Sequence, residues 1–188
     1  MSAIVGTTSR RNADMRTVTC TYDQHAEAML AIFNDAILNS TALYEYQTRT
    51  MATMRSWFDA KQASGFPVIG VEDERSGALC GFASYGTFRA WAAFKYSVEH
   101  SVYVHRDHRG QGLALQLMQQ LIAMATERDV HVMVGGIDVD NTASIALHRK
   151  LGFVHAGTIT QAGFKFGRWL DLAFYQLTLP TPRQPVDG

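Results

Sequence analysis

Two glycines stand one residue apart in HRGQGLA, His108 to Ala114. Upstream, VEHSVYV (98–104) alternates like a strand; downstream, LQLMQQLIAMA carries the apolar spacing of a helix. Glycine lets the backbone turn sharply and lets a ligand approach the main chain. A helix start points unpaired N–H groups and a positive dipole end outward. A corner of this kind suits an anion, above all a phosphate. His105, Arg106, His108 and Arg109 crowd positive charge into the same place. The spacing Arg109-x-x-Gly112-x-Ala114 is not that of a P-loop, and the full Gly-x-Gly-x-x-Gly of a dinucleotide fold is absent. Taken alone, the corner fits a phosphate site and a plain strand-to-helix turn equally well.

Glu99 interrupts the otherwise apolar strand, where an unpaired carboxylate is costly. Partial burial raises the pKa of such a group and makes it a proton acceptor. The plainer alternative is a glutamate salt-bridged to Arg89 or Arg168. His100 points to the opposite sheet face by the period of two, where a hydrogen-bonded core histidine is the plain reading. Asn141, Ser144 and His148 recur at i, i+3 and i+7, on one face of a short helix. Asn141 is also a natural cap for that helix. A neutral His148 is a good hydrogen-bond donor. In FRAWAAFKY (88–96), Arg89 can clamp a carboxylate through paired hydrogen bonds, with Trp91 and Phe94 as apolar walls. The same stretch also reads as a surface loop with packed aromatics.

These residues need a frame. A strand fits Arg16–Thr21, and Asp23 can cap a helix that carries Met29, Leu30, Phe33, Ala36 and Ile37. Thr50 caps a second helix, which Gly65 and Pro67 stop. PVIGVEDE and ALCGFASYGTF form a hairpin across Arg75-Ser76-Gly77. The Glu99 strand and the long helix after the corner follow. VHVMVGGID is a strand, Asn141–Leu151 a short helix, and the chain closes with two strands joined through Gly163–Trp169. The order β-α-α-β-β-β-α-β-α-β-β describes an α/β fold, a mixed sheet with helices packed on it.

The chain has 188 residues, 47% of them hydrophobic, enough for one domain with a proper core. Residues 1–14 read as a loose tail, 15–179 as the domain, and 180–188 as a tail holding three of the four prolines. Seventeen basic residues balance seventeen acidic ones, which argues against nucleic acid or an anionic membrane as partner. Cys20 and Cys80 lack Cys-x-x-Cys spacing and read as buried free thiols of a reducing cytosol; no metal is expected. The first residues lack a signal peptide's apolar stretch, and no apolar run reaches transmembrane length, so a soluble cytoplasmic protein is expected.

Arg-x-x-Gly-x-Ala between strand and helix resembles the acetyl-CoA site of the GCN5-related N-acetyltransferase superfamily, and NTASIALHRKLGF resembles its second motif. VEHSVYVHRDHRGQGLA, GGIDVDNTASIALHRKLGF and AGFKFGRWLDLAFYQL together resemble the phosphinothricin and methionine-sulfoximine acetyltransferase branch, across about residues 15–179. The resemblance implies a mostly antiparallel sheet with one splayed parallel pair, acetyl-CoA as co-substrate and a homodimer. It implies that backbone groups of Val102, Tyr103 and Val104 pair with the pantetheine arm. Asn141 and Ser144 would join them, and the segment Arg109, Gly110, Gln111, Gly112, Leu113, Ala114 and Leu115 would hold the pyrophosphate. It implies Glu99 as general base and His148 as partner of the leaving thiolate. Arg89, Ala90, Trp91, Phe94, Glu99, His100 and Ser101 would surround a small L-amino-acid analogue acetylated on its α-amino group. The phosphinothricin enzymes tend to carry an arginine two after the Arg89 position and a tyrosine near Phe94. Trp91 and Phe94 stand here instead, which suits methionine sulfoximine or sulfone better than the charged phosphinate. A peptide N-terminus or polyamine as acceptor, and a CoA-binding sensor without turnover, remain as alternatives.

Overall fold

The computed structural model describes residues 14–187. The expected N-terminal tail lies outside the described residues except for Asp14, whose carboxylate pairs with Arg75 at 2.6 Å. The elements run β1 (Met15–Thr19), α1 (Tyr22–Asn39), α2 (Met51–Ala63), β2 (Val68–Asp73), β3 (Leu79–Thr87), β4 (Ser97–Val104), α3 (Leu113–Glu127), β5 (Val132–Asp138), α4 (Thr142–Lys150), β6 (Val154–Lys165) and β7 (Arg168–Thr178). They build one seven-stranded sheet in the order β1-β2-β3-β4-β5-β7-β6. Every neighbouring pair is antiparallel except β4 and β5.

That parallel pair positions the site. It is in register only at Ser97–Val132, Val98–Met133 and Glu99–Val134. Beyond Glu99 the two strands part, while β4 stays paired to β3 as far as Val104. The alternation of β4 sorts its side chains between two layers. Val98 packs with Leu113, Leu117, Met118 and Leu121 of α3 in one core. Tyr103 faces the other way, against Phe33 of α1 and Phe82 of β3. The helices α1 and α2 thus cover one face, with α3 and α4 on the opposite face.

Local sequence explains most element ends. Thr50 caps α2 through a reciprocal box with Thr53. Asp23 does not cap α1: Thr21 holds that position without a side-chain cap, and Asp23 sits in the first turn, where its charge suits the helix dipole. The last hairpin turn is shorter than Gly163–Trp169, because the strands run up to Lys165 and resume at Arg168. Only Phe166 and Gly167 turn, both with positive φ. Cys20 and Cys80 are free and buried. Past β7, Thr181 donates to the Val130 carbonyl, and the Tyr96 hydroxyl meets the backbone of Val186. Among the described residues no helix is long and apolar enough to cross a membrane.

Candidate active site

A cleft of about 870 Å³ opens where β4 and β5 part. At one end lies the glycine corner. Gly110 and Gly112 both take positive φ, and no atom lies within 4 Å of where a Cβ would stand on either. Glycine therefore permits the turn and leaves the main chain bare. Gly112 is the N-cap of α3 and offers no side-chain cap, so the first amides of this 15-residue helix face outward unfilled. Arg109 donates to the Val104 carbonyl, and its guanidinium meets the Asp35 carboxylate at 3.0 Å. Arg106 reaches the other oxygen of Asp35 at 3.3 Å. Asp35 on α1 thus anchors the basic corner, a role that its place in the sequence does not announce.

At the other end is Glu99, the last β4 residue in register with β5. Burial pushes its pKa up, and the charge of Arg89 opposes that shift. Neither salt bridge of the plainer alternative forms. Arg168 pairs with Asp138 and Asp140, and Arg89 donates to the carbonyl of Phe88. The carboxylate leans toward Gly136, where an added Cβ would lie 3.2 Å from Oε1.

On the opposite face, His100 and His148 meet. Their Nε2 atoms are 2.9 Å apart, and both rings are buried. His148 Nδ1 lies 2.7 Å from the Ser144 carbonyl, which can only accept, so Nδ1 carries a proton. Burial lowers both pKa values, His100 to about 3 with help from the neighbouring ring. A neutral His148 then accepts at Nε2, and His100 donates from Nε2. That leaves His100 Nδ1 buried without a partner. A Cβ on Gly135 would stand 2.8 Å from one Nε2 and 2.9 Å from the other. Two consecutive glycines inside an apolar strand were the signal of this double approach.

The expected residues divide clearly by position. Val102, Tyr103, Val104, Arg109, Gly110, Gly112, Leu113, Ala114, Leu115, Asn141 and Ser144 line the cleft, together with Glu99, His100, Ser101 and His148. Gln111 does not, and turns its amide to the Asp107 carbonyl at 3.5 Å. Asn141 caps α4 by accepting from the Ser144 amide. Arg89, Ala90, Trp91 and Phe94 lie outside the lining, with Trp91 71% exposed. Thr41–Tyr44 and Lys61 line the cleft without having been expected there. Lys61 could have been suspected from its place on the same helical face as Met54 and Phe58.

The family model described as Acetyltransferase (GNAT) family matches residues 28–153. The chain belongs to the GNAT acetyltransferase family. Among curated relatives, it is 48% identical over 158 residues to the L-methionine sulfoximine/L-methionine sulfone acetyltransferase of Pseudomonas paraeruginosa, covering 84% of this chain and 91% of that one. A solved structure from Acinetobacter baylyi superposes with a TM-score of 0.91 at 61% identity, covering 93% of this chain and 97% of that one. A GNAT superfamily phosphinothricin acetyltransferase from Sinorhizobium meliloti, solved in complex with acetyl-CoA, gives a TM-score of 0.87 at 32% identity and covers 93% and 95%. The protein is therefore an N-acetyltransferase of this family with acetyl-CoA as co-substrate. The sheet that splays after Glu99 is the family's mixed sheet with its one parallel pair.

Proposed function

We propose that this enzyme transfers the acetyl group of acetyl-CoA directly to the α-amino group of a small L-amino-acid analogue of the methionine sulfoximine or sulfone kind. One observation carries the proposal. The cleft joins an uncapped helix start, suited to a pyrophosphate, to a half-buried carboxylate that no ion pair neutralises. The names of the relatives point to the amino-acid acceptor. In this reading the amides from Arg109 to Leu115 hold the pyrophosphate, and the open edge of Val102–Val104 pairs with the pantetheine arm. Glu99 takes the amine proton, directly or through water, which its raised pKa favours. The histidine pair faces the departing sulfur. The polar hydrogen between the rings belongs to His100 Nε2 and is already given to His148, so the pair stabilises the leaving thiolate only by sharing that hydrogen with the sulfur.

A homodimer belongs to the same proposal. Val154, Ile159, Phe164, Phe166 and Trp169 are exposed along β6, β7 and their turn, a surface suited to a second copy. Sedimentation of the purified protein tests it.

The function is tested by release of free thiol from acetyl-CoA with L-methionine sulfoximine, L-methionine sulfone, L-phosphinothricin, spermidine and a short peptide as acceptors. Turnover on the sulfoximine and sulfone is expected. Turnover confined to spermidine or peptide would remove the acceptor assignment.

A further inference from the structure

The cleft is lined by one lysine and one arginine, Lys61 and Arg109. Arg109 is committed to the glycine corner by Asp35 and the Val104 carbonyl. Lys61 lines the cleft from α2. Its Nζ donates to the Tyr85 carbonyl at 2.6 Å, and an added Cβ on Gly86 would lie 3.1 Å from it. Gly86 is the register partner of Glu99. Lys61, reaching over Gly86 from α2, and Glu99 therefore meet the same face of the sheet above two adjacent strands, whose backbones run about 4.8 Å apart.

They do not neutralise each other. The Glu99 carboxylate leans away toward β5 and Gly136. Burial alone accounts for the lowered pKa of Lys61, with no acidic neighbour opposing it. An ammonium has three donors, and among the described residues only Tyr85 takes one. The Trp57 and Phe66 rings, 5.2 and 5.6 Å from Nζ, give it an apolar collar. A half-buried cation with spare donors, facing a cleft, is costly for stability and suited to an anionic ligand.

We propose that Lys61 binds the carboxylate of the acceptor and so restricts the reaction to α-amino acids; this rests on the amino-acid reading above. The amine and carboxylate oxygens of an α-amino acid are about 3 Å apart. With one hydrogen bond at each end, the molecule bridges groups about 8–9 Å apart. Its amine then meets Glu99 while its carboxylate meets Lys61. A polyamine would place a second cation against Lys61 and be rejected. Arg89 is less suited to the role, because it lies outside the cleft lining and rests on the Phe88 ring at 4.3 Å.

The test compares L-methionine sulfone with its α-carboxamide in wild type, Lys61→Met, Lys61→Gln and Lys61→Arg. The glutamine keeps a donor for Tyr85, so loss of that bond is not mistaken for loss of charge. Wild type should favour the acid through KM. In Lys61→Met and Lys61→Gln, KM for the acid should rise about ten- to a hundredfold, the scale of a charge-assisted hydrogen bond, with kcat little changed. KM for the amide should stay near the wild-type value, and Lys61→Arg should keep part of the preference. Equal changes for acid and amide would mean a structural lysine and overturn the proposal. Turnover of both compounds with unchanged KM values in the variants removes the Lys61 assignment alone. A wild type that acetylates neither compound removes the amino-acid reading and the Lys61 assignment together.

Discussion

The Nε2 atoms of His100 and His148 lie 2.9 Å apart and share a single proton. The Ser144 carbonyl fixes which one. By holding His148 Nδ1–H at 2.7 Å, it turns the far side of that ring into an acceptor. His100 must then donate, and its own Nδ1 is left dry and unpaired. Each ring's tautomer follows from one backbone carbonyl on α4.

This arrangement makes stability sensitive to acid. The His100 pKa falls from 6.5 to about 3 on folding. Between those values the unfolded chain binds the extra proton, so the stabilisation is complete above about pH 6.5 and is lost as pH falls. The slope approaches ~1.4 kcal/mol per pH unit for one such group. Urea unfolding of the wild type at pH 7.5, 6.5 and 5.5 should show this decline. His100→Phe should start less stable and decline less steeply, since only His148 still titrates in the pair. Parallel curves would show that His100 does not titrate on unfolding.

Glu99 has the opposite linkage. Its folded pKa is raised, so the folded state holds the proton more tightly than the unfolded chain. Stability is therefore lost as pH rises through that window. Glu99→Gln should have a higher Tm than wild type at pH 7.5, and the difference should close by pH 4. Activity should move the other way, with kcat falling about 10²–10⁴-fold, the scale of a lost general base. The wild-type rate should rise with pH as both Glu99 and the acceptor amine deprotonate, and the variant should keep only the limb of the amine. A kcat within a few-fold of wild type would remove Glu99 as base.

Gly135 is the tightest point of the site. An alanine there brings a methyl to within 3 Å of both histidine rings, which are themselves packed against Phe153. Neither ring is the free end of a long side chain, so the pair must separate. Gly135→Ala should cost about 1–3 kcal/mol, the usual scale of overpacking, and should lower kcat. Gly136→Ala meets Glu99 Oε1 at 3.2 Å and Leu172 Cδ1 at 3.3 Å, both far ends of side chains that can swing aside. It should be milder in urea unfolding. Equal losses for the two variants would contradict this ranking.

Legibility in the sequence followed distance along the chain. The glycine corner, the capped α2 and the face shared by Asn141, Ser144 and His148 each rest on periodicity within a dozen residues. The mixed sheet was legible through the family motifs. The histidine pair was not, because its members are 48 residues apart and meet only through the packing of α4 on the splayed strands. Asp35 was hidden for the same reason, while Lys61 and the Gly135–Gly136 approach left only local signals, a shared helical face and a glycine pair, that do not name their distant partners. Arg89, Trp91 and Phe94 illustrate the converse. Their types suit a substrate pocket, yet the loop between β3 and β4 carries them outside the cleft lining.

Lys165, near the end of β6, joins two distant parts of the cleft's frame. Its Nζ donates to the carbonyls of Ile37, Ser40 and Leu43 at 2.7, 2.9 and 2.6 Å. All three donors are used: Ile37 lies in the last turn of α1, where carbonyls lack helical partners, and Ser40 and Leu43 lie past its end. The segment they hold runs straight into Thr41–Tyr44, which lines the cleft. The Tyr46 hydroxyl adds a second tie, to the Phe164 carbonyl. Lys165→Met keeps the stem but leaves the carbonyls unpaired, and should cost about 2–4 kcal/mol. Because the freed segment forms one wall of the cleft, KM for the acceptor should rise with it. Tyr46→Phe removes only the outer tie and should change stability by less than 1.5 kcal/mol, the ordinary worth of one hydrogen bond. Hydrogen exchange of the amides from 40 to 49 separates the two cases: fast exchange is expected in Lys165→Met and near-wild-type protection in Tyr46→Phe. Unchanged protection in Lys165→Met would mean that the segment is held by its own packing.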